Sequence, residues 1–173
     1  MRKYLFPLPV LLVILSMLIP NLTFAYFSTN QTATVINDSQ ILFTVTYKFG
    51  FKKYNGMMSI GAVRGLEFGN PSPYLGYKIL DKQGKTVIDG TAYSIVLSNA
   101  KVVNNSYYIP KGVLKTFTLV TLYSLPKETS INDVSLRVTS LPFMMQNEKK
   151  EITTKMNPSE LQYYTTPIVH LSK

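Results

Sequence analysis

The chain of 173 residues contains no cysteine, no tryptophan and a single histidine. Without cysteine it can form no disulfide, no thiolate metal site and no cysteine nucleophile. One imidazole cannot build a metal centre with several histidine ligands. Charge is also scarce, since 16% of the residues are charged and 46% are hydrophobic. This composition predicts a packed globular protein rather than a disordered chain.

The N-terminal 25 residues have the three-part pattern of an export signal. Arg2 and Lys3 supply positive charge, and residues 4–19 form an almost unbroken apolar run. Thr23-Phe24-Ala25 then places small residues at the two positions that signal peptidase inspects. The pattern predicts that the chain is exported.

We expect cleavage before Tyr26, so that residues 1–25 are a signal peptide and residues 26–173 form one secreted or surface-displayed domain. The alternative is a retained leader that anchors the protein, because the apolar run approaches the roughly 20 residues that span a bilayer. The mature domain carries 16 basic and 9 acidic residues, a net charge of +7. Its 148 residues are enough to bury a core without disulfides.

Most of the mature chain shows the alternation of β-strands. Residues 41–49 place Ile, Phe, Val, Tyr and Phe on one face, and residues 134–138 repeat the pattern more briefly. Residues 116–123 are β-branched and aromatic on both faces, which indicates a central strand. Further strands are predicted within 32–36, 57–63, 74–80, 85–88, 93–97, 101–103, 107–109, 151–155 and 167–171.

We therefore predict an all-β fold, a single antiparallel β-sandwich of nine to eleven short strands. Asp81-Lys82-Gln83-Gly84 and Asn104-Asn105-Ser106 supply the turns of two hairpins. One short helix is expected near residues 158–164, because Asn157-Pro158-Ser159-Glu160 combines an N-cap, a proline at the first helical position and a glutamate at N3.

Three segments resemble bacterial secreted immunoglobulin-like or fibronectin-like sandwich domains. They are residues 81–85, residues 108–112 with a Pro-x-Gly turn, and residues 134–138. The resemblance covers roughly residues 74–141 and lies in the style of turns and strands, while the cysteine and tryptophan of antibody-type domains are absent. It implies display, adhesion, assembly or sugar binding outside the cell, and almost never catalysis.

The sequence predicts a protein that is not an enzyme, with no catalytic, cofactor-binding or metal residues. His170 would have to form the centre of any catalytic triad, and no nucleophile elbow accompanies it. We therefore expect it to face solvent on an edge strand. The nine carboxylates are scattered through loops and turns, so a hydrolase built on a carboxylate pair is the least favoured class.

The most suggestive segment for binding is residues 51–74, where three glycines and several aromatic side chains surround a predicted strand. The alternative is that these aromatic side chains only plug one end of the sandwich. The candidate interaction surface consists of Phe51, Tyr54, Arg64, Phe68, Tyr74 and Tyr77.

Two classes of function follow. The first is a noncatalytic secreted or cell-surface protein that contacts a protein partner or itself, in a structural, adhesive or assembly role. In a self-assembling version, residues 26–36 would add as a strand to the open sheet edge of a neighbour. The second is a carbohydrate-binding module that stacks glycans on Tyr54, Phe68, Tyr74 or Tyr77. Nucleic-acid binding is not expected, because no run of positive charge in the mature domain exceeds two residues.

Overall fold

In the computed structural model, the described residues are 24–126, 129, 131–147, 150–156 and 158–171. They form thirteen strands and one short helix, α1, Pro158–Leu161. The strands are β1 Phe24–Asn37, β2 Gln40–Phe51, β3 Asn55–Ser59, β4 Ala62–Arg64, β5 Leu75–Asp81, β6 Thr91–Ser98, β7 Lys101–Val103, β8 Ser106–Ile109, β9 Lys115–Ser124, β10 Asp133–Ser140, β11 Pro142–Asn147, β12 Lys150–Lys155 and β13 Val169–His170. The predicted signal peptide lies outside the described residues, except for its last two positions at the start of β1.

The strands are arranged in three sheets, and the predicted all-β fold is confirmed. Sheet 1 has the order β1-β2-β9-β6, sheet 2 has β13-β10-β5-β4, and sheet 3 has β12-β11-β3-β8-β7. All strand pairs are antiparallel except β4 with β5. The prediction of one sandwich of nine to eleven strands differs from this result, because the described residues form thirteen strands, nine of which divide into sheets 2 and 3.

Sheet 1 supplies one wall of the core. The five alternate residues predicted to share a face of β2, from Ile41 to Phe49, are fully buried. Strand β9 lies between β2 and β6, as expected of a central strand, and buries Phe117, Leu119 and Tyr123. The period-two pattern therefore identified the inner face of this sheet correctly.

Sheets 2 and 3 both pack against that inner face. Phe49 of β2 contacts Phe143 of β11, with ring centroids 4.9 Å apart. Tyr107 of β8 meets Phe117 of β9 edge-on at 5.7 Å. The Ser94 hydroxyl of β6 donates a hydrogen bond to the Tyr77 hydroxyl of β5. Aromatic contacts and a partly buried hydroxyl hydrogen bond thus join the sheets without disulfides.

The predicted strand at residues 57–63 is interrupted, and this break separates sheet 3 from sheet 2. Gly61 donates its backbone N–H to the Ser59 hydroxyl, between β3 and β4. A Cβ at Gly61 would lie 2.6 Å from the Tyr74 ring, so only glycine lets the ring approach so closely. The predicted strand at residues 85–88 is also absent, since only Thr86 forms a bridge there, to Leu80.

Strand β1 forms a long hairpin with β2 of the same chain. The stretch at residues 26–36, which the sequence suggested as a strand donated to a neighbour, is therefore paired within the chain in this structure.

At the other end of the chain, α1 ends at Leu161, earlier than the predicted residue 164, and a backbone bond from Tyr164 to Leu161 closes the following turn. No helix among the described residues is long and apolar enough to cross a membrane.

Candidate interaction surface

Two of the six residues in the predicted interaction surface lie in the core. Phe51 packs against Phe49 and Phe143, and its side chain is almost completely buried. Tyr77 points from β5 toward sheet 1 and is equally buried. Burial raises the pKa of the Tyr77 phenol, because the phenolate would lose its hydration. A partner cannot reach either side chain in this structure, so the prediction is wrong for these two.

Arg64, a third predicted surface residue, holds neighbouring segments of the protein together. Its guanidinium donates hydrogen bonds to the backbone carbonyls of Val87, Asp89 and Gly90 at 2.6–2.8 Å. The same group lies over the ring of Tyr123, 5.1 Å from its centroid. With its donors committed to the loop before β6, Arg64 anchors that loop to β4.

The remaining three predicted residues are accessible to different degrees. Phe68 and Tyr74 are exposed, and both belong to the loop between β4 and β5. Tyr54 is half-buried. The Tyr74 ring lies close to Gly61, so part of the ring is already in contact with the protein. The accessible part of the predicted surface is therefore a small aromatic patch at this loop.

A second surface, which the sequence reasoning did not single out, is the outer face of sheet 1. Three rows of side chains cross it from β6 to β1, and none of them includes a charged residue. Two pairs of threonines, Thr32 with Thr44 and Thr46 with Thr118, share hydroxyl hydrogen bonds of 2.6 and 3.0 Å. The rows are Tyr93-Leu122-Leu42-Thr34, Ile95-Val120-Thr44-Thr32 and Leu97-Thr118-Thr46-Asn30.

The outward side chains of β6 are the most apolar and exposed part of this face. Tyr93 is 72% exposed, Ile95 53% and Leu97 48%. The opposite side of the strand contains the hydroxyls of Ser94 and Ser98, which are partly buried. Strand β6 therefore directs Tyr93, Ile95 and Leu97 to solvent, while its inner face combines these serines with the buried side chain of Val96.

The interior of the protein explains this orientation of β6. The Ser94 hydroxyl bonds to Tyr77 and lies 3.2 Å from the Thr121 hydroxyl, and Ser98 donates to the Thr116 carbonyl. A shift of one residue would turn the serines outward and break these bonds. The exposed Ile95 and Leu97 forgo roughly 1 kcal/mol of burial each. The apolar alternation of residues 93, 95 and 97 was the available sequence signal, but by itself it predicts burial.

Strand β6 also lies at an edge of sheet 1, but the middle of this edge is covered within the chain, because Val96 is 1% exposed and its carbonyl accepts a hydrogen bond from the buried Tyr107 hydroxyl of β8. The strand has eight residues, no proline, no charge and a regular register with β9. Among the other edges of the described sheets, β1 has two register shifts, β4, β7 and β13 have three residues or fewer, and β12 includes charged residues. Bulges, short length and charge each discourage pairing with another chain.

A third region is a surface cavity of about 420 Å³ beside β13, lined by Asp81, Lys82, Gln83, Ile131, Asn132, Asp133 and His170. The His170 Nδ1 lies 2.9 Å from the Asp133 carboxylate, and Lys82 Nζ lies 3.7 Å from its second oxygen. His170 is exposed on an edge strand, as predicted. The lining contains no hydroxyl or thiol that a histidine could activate. The pair therefore ties β13 to β10.

The described residues contain no group of three His, Cys, Asp or Glu side chains that could hold a metal ion.

Comparisons with known proteins name no function. No protein-family model and no curated protein matches the chain. Among solved structures, the chain is similar to the X-ray structure of a Northeast Structural Genomics Consortium target, with a TM-score of 0.38 and 12% identity. The match covers 83% of this chain and 82% of the other.

Proposed function

We propose that the chain is an exported, noncatalytic protein with an immunoglobulin-like β-sandwich, which acts outside the cell through protein contacts. In this interpretation sheet 1 is one layer, and sheets 2 and 3 together form the other. Two features of the chain support the second layer. Only Leu141 separates β10 from β11, and only Ile60 and Gly61 separate β3 from β4. The strands of sheet 2 thus continue into those of sheet 3.

The observation that carries the proposed function is the exposed apolar side of β6. Tyr93, Ile95 and Leu97 stand side by side on an uncharged sheet face, next to Leu122 and Val120. Large contiguous apolar patches on a protein surface often mark sites of contact with other proteins. Tyrosine is enriched in such contacts, because its ring is apolar and its hydroxyl can bond.

A photo-crosslinking experiment in the producing cells tests this function. A benzophenone amino acid replaces Tyr93 in one variant and Tyr163, which is 55% exposed next to α1, in a control variant. We expect irradiation to join the Tyr93 variant to a protein and to leave the control unjoined. A Tyr93 variant that gives no protein adduct in its own compartment would contradict the proposed function.

The export part of the proposal has its own measurement. Intact mass and N-terminal sequencing of the accumulated protein should show a chain that begins at Tyr26, because the small residues before it fit signal peptidase. A chain that keeps residues 1–25 would show that the leader is retained as an anchor.

Glycan binding is the second candidate, and the exposed rings of Phe68 and Tyr74 favour it. Both belong to one loop, and sugars stack on exposed aromatic rings through their apolar C–H faces. A glycan array should then give a signal that Phe68→Ala and Tyr74→Ala abolish. An array without signal would remove this candidate.

A further inference from the structure

We propose that the end of the domain where β2 ends and β9 begins binds the surface of a membrane that contains anionic lipids. Five lysines gather at this end, together with two exposed apolar side chains. This basic cluster consists of Lys48, Lys52, Lys53, Lys111 and Lys115. The inference goes beyond the proposed function and does not depend on it, because the protein contact at Tyr93 uses a different surface.

The pairing of β2 with β9 brings the two groups of lysines together. In this register Lys48 lies opposite Thr116, and Lys115 lies opposite Phe49. Directly opposite residues of an antiparallel pair have Cα atoms about 4.5–5.5 Å apart. Because the two segments are far apart in the chain, the sequence shows only single lysines and one adjacent pair. The cluster is formed by the fold.

Beyond the strand ends, two loops are bonded into one surface. Gly112 donates its backbone N–H to the Phe51 carbonyl at 2.7 Å. Lys111 donates its backbone N–H to the side-chain carbonyl of Asn55 at 2.9 Å. The turn at residues 52–54 is therefore held beside the loop that precedes β9, and the lysines of both face solvent.

The same loop exposes two apolar side chains among the lysines. Val113 is 40% exposed and Leu114 is 44% exposed. Proteins that lie on a membrane combine apolar side chains, which enter the headgroup region, with lysines that attract anionic lipids. A soluble anionic polymer would use the lysines but leave the apolar side chains in water. This combination favours a membrane surface as the partner.

The distribution of acidic residues also favours an anionic partner. The sequence has no acidic residue within residues 39–66 or within residues 90–127, the two segments that contain the cluster. The described acidic residue that strand pairing brings to this end is Glu151 of β12, two strands from Asn55. One carboxylate against five ammonium groups leaves the end positive, so it attracts anionic headgroups.

The N-terminal strand starts at this end as well. Phe24 lies opposite Phe51, and Tyr26 lies opposite Phe49. Cleavage before Tyr26 would add a positive α-amino group here. A retained leader would instead join the domain at this end and bring it to the bilayer. Either N-terminus is compatible with a basic cluster that faces the membrane.

Cosedimentation with vesicles tests the inference on the protein as cells accumulate it. We expect stronger binding to phosphatidylcholine vesicles that contain about one third phosphatidylglycerol than to phosphatidylcholine alone, and weaker binding as salt is added. Lys52→Gln combined with Lys53→Gln should lower the partition coefficient by about fivefold for each lysine, or about 25-fold together.

The matched control is Lys82→Gln combined with Lys85→Gln. It removes the same charge from two exposed lysines in the loop after β5, outside the cluster. Because both double variants keep the same N-terminus and the same net charge, any difference between them reports the position of the lysines. We expect the control to change the partition coefficient by less than about threefold.

A fluorescent probe tests the apolar side chains, since the chain has no tryptophan of its own. Leu114→Trp should shift its emission to shorter wavelength when phosphatidylglycerol vesicles are added, because indole rings settle at the membrane interface. Ile88→Trp is the control, because Ile88 is 83% exposed and precedes the start of β6, which pairs with the end of β9. Its emission should not shift.

Three results would overturn the inference. The first is equal binding to both kinds of vesicle, and the second is an equal loss of binding in the two double variants, which would show that only net charge matters. The third is binding to inorganic polyphosphate with no emission shift of Leu114→Trp on vesicles, which would identify a soluble anionic polymer instead. None of these results affects the proposed function, which depends on the Tyr93 crosslink.

Discussion

The two faces of sheet 1 are built from the same four strands, yet they follow opposite rules. The inner face places Ile41, Phe43, Tyr47 and Phe49 of β2 against sheets 2 and 3, with no exposed surface. The outer face is uncharged across three rows and ends in exposed Tyr93, Ile95 and Leu97. The comparison shows that apolar character alone does not determine burial. A face is buried only where another element covers it.

The largest expected effect is on the inner face. Phe49→Ala should lower the free energy of unfolding by about 3–5 kcal/mol, because it removes a fully buried ring that contacts Phe51 and Phe143. Urea unfolding followed by circular dichroism measures the change. A loss below about 1 kcal/mol would show that the packing of sheet 1 on sheet 3 does not depend on this aromatic contact.

A smaller effect is expected where β6 begins. Gly90 has a φ of +77°, and a Cβ there would overlap the Ser124 carbonyl oxygen. Gly90→Ala should therefore cost about 2 kcal/mol or more, from both conformational strain and the clash. Gly84→Ala is the control, because its φ is +79° but nothing lies within 4 Å. The control should cost about 1 kcal/mol, and equal losses would contradict the predicted clash.

The inner face contains buried tyrosine hydroxyls, which make the stability of the protein depend on pH in alkaline solution. Burial raises the pKa of Tyr47 well above 10.0, and it also raises the pKa values of Tyr77 and Tyr123. The folded state therefore holds these protons more tightly than the unfolded state does. Their contribution to the free energy of unfolding is complete below pH 10. It is lost as the pH rises further, at up to about 1.4 kcal/mol per tyrosine for each pH unit.

The measurement is the urea midpoint between pH 9 and 12, together with tyrosinate absorbance. Tyr47→Phe keeps the ring but removes the ionisable hydroxyl, so it should reduce the slope of stability against pH. An unchanged slope in this variant would show that Tyr47 ionises equally easily in both states.

The smallest effect is expected on the outer face. Leu97→Thr replaces a half-exposed side chain with threonine, the same residue type as Thr118, which lies opposite it on β9. We expect the free energy of unfolding to change by no more than about 0.5 kcal/mol at concentrations where the chain is monomeric. A loss near that of Phe49→Ala would show that this face is covered within one molecule.

The sequence predicted some parts of this fold better than others. The strands at residues 41–49 and 116–123 were located correctly, because alternation over eight or nine residues is a strong local signal. The predicted strand at residues 57–63 is interrupted in the structure. The close approach of Tyr74 to Gly61 at this point is a contact between residues that are separated in the chain, and a local pattern does not reveal it. The same limit applies to the interaction surface, where Phe51 and Tyr77 turned out to be buried by strands distant in sequence.

By itself, the sequence determined the class of the fold, its lack of disulfides and which residues share a face of each long strand. Those properties follow from composition and from a backbone whose side chains alternate every residue. Only the tertiary structure decided which face of β6 is covered and where the sheets divide. The reason is that alternation sorts side chains into two sets, while the burial of Val96 and the hydrogen bonding of Ser94 to Tyr77 and Thr121 select the set that points inward.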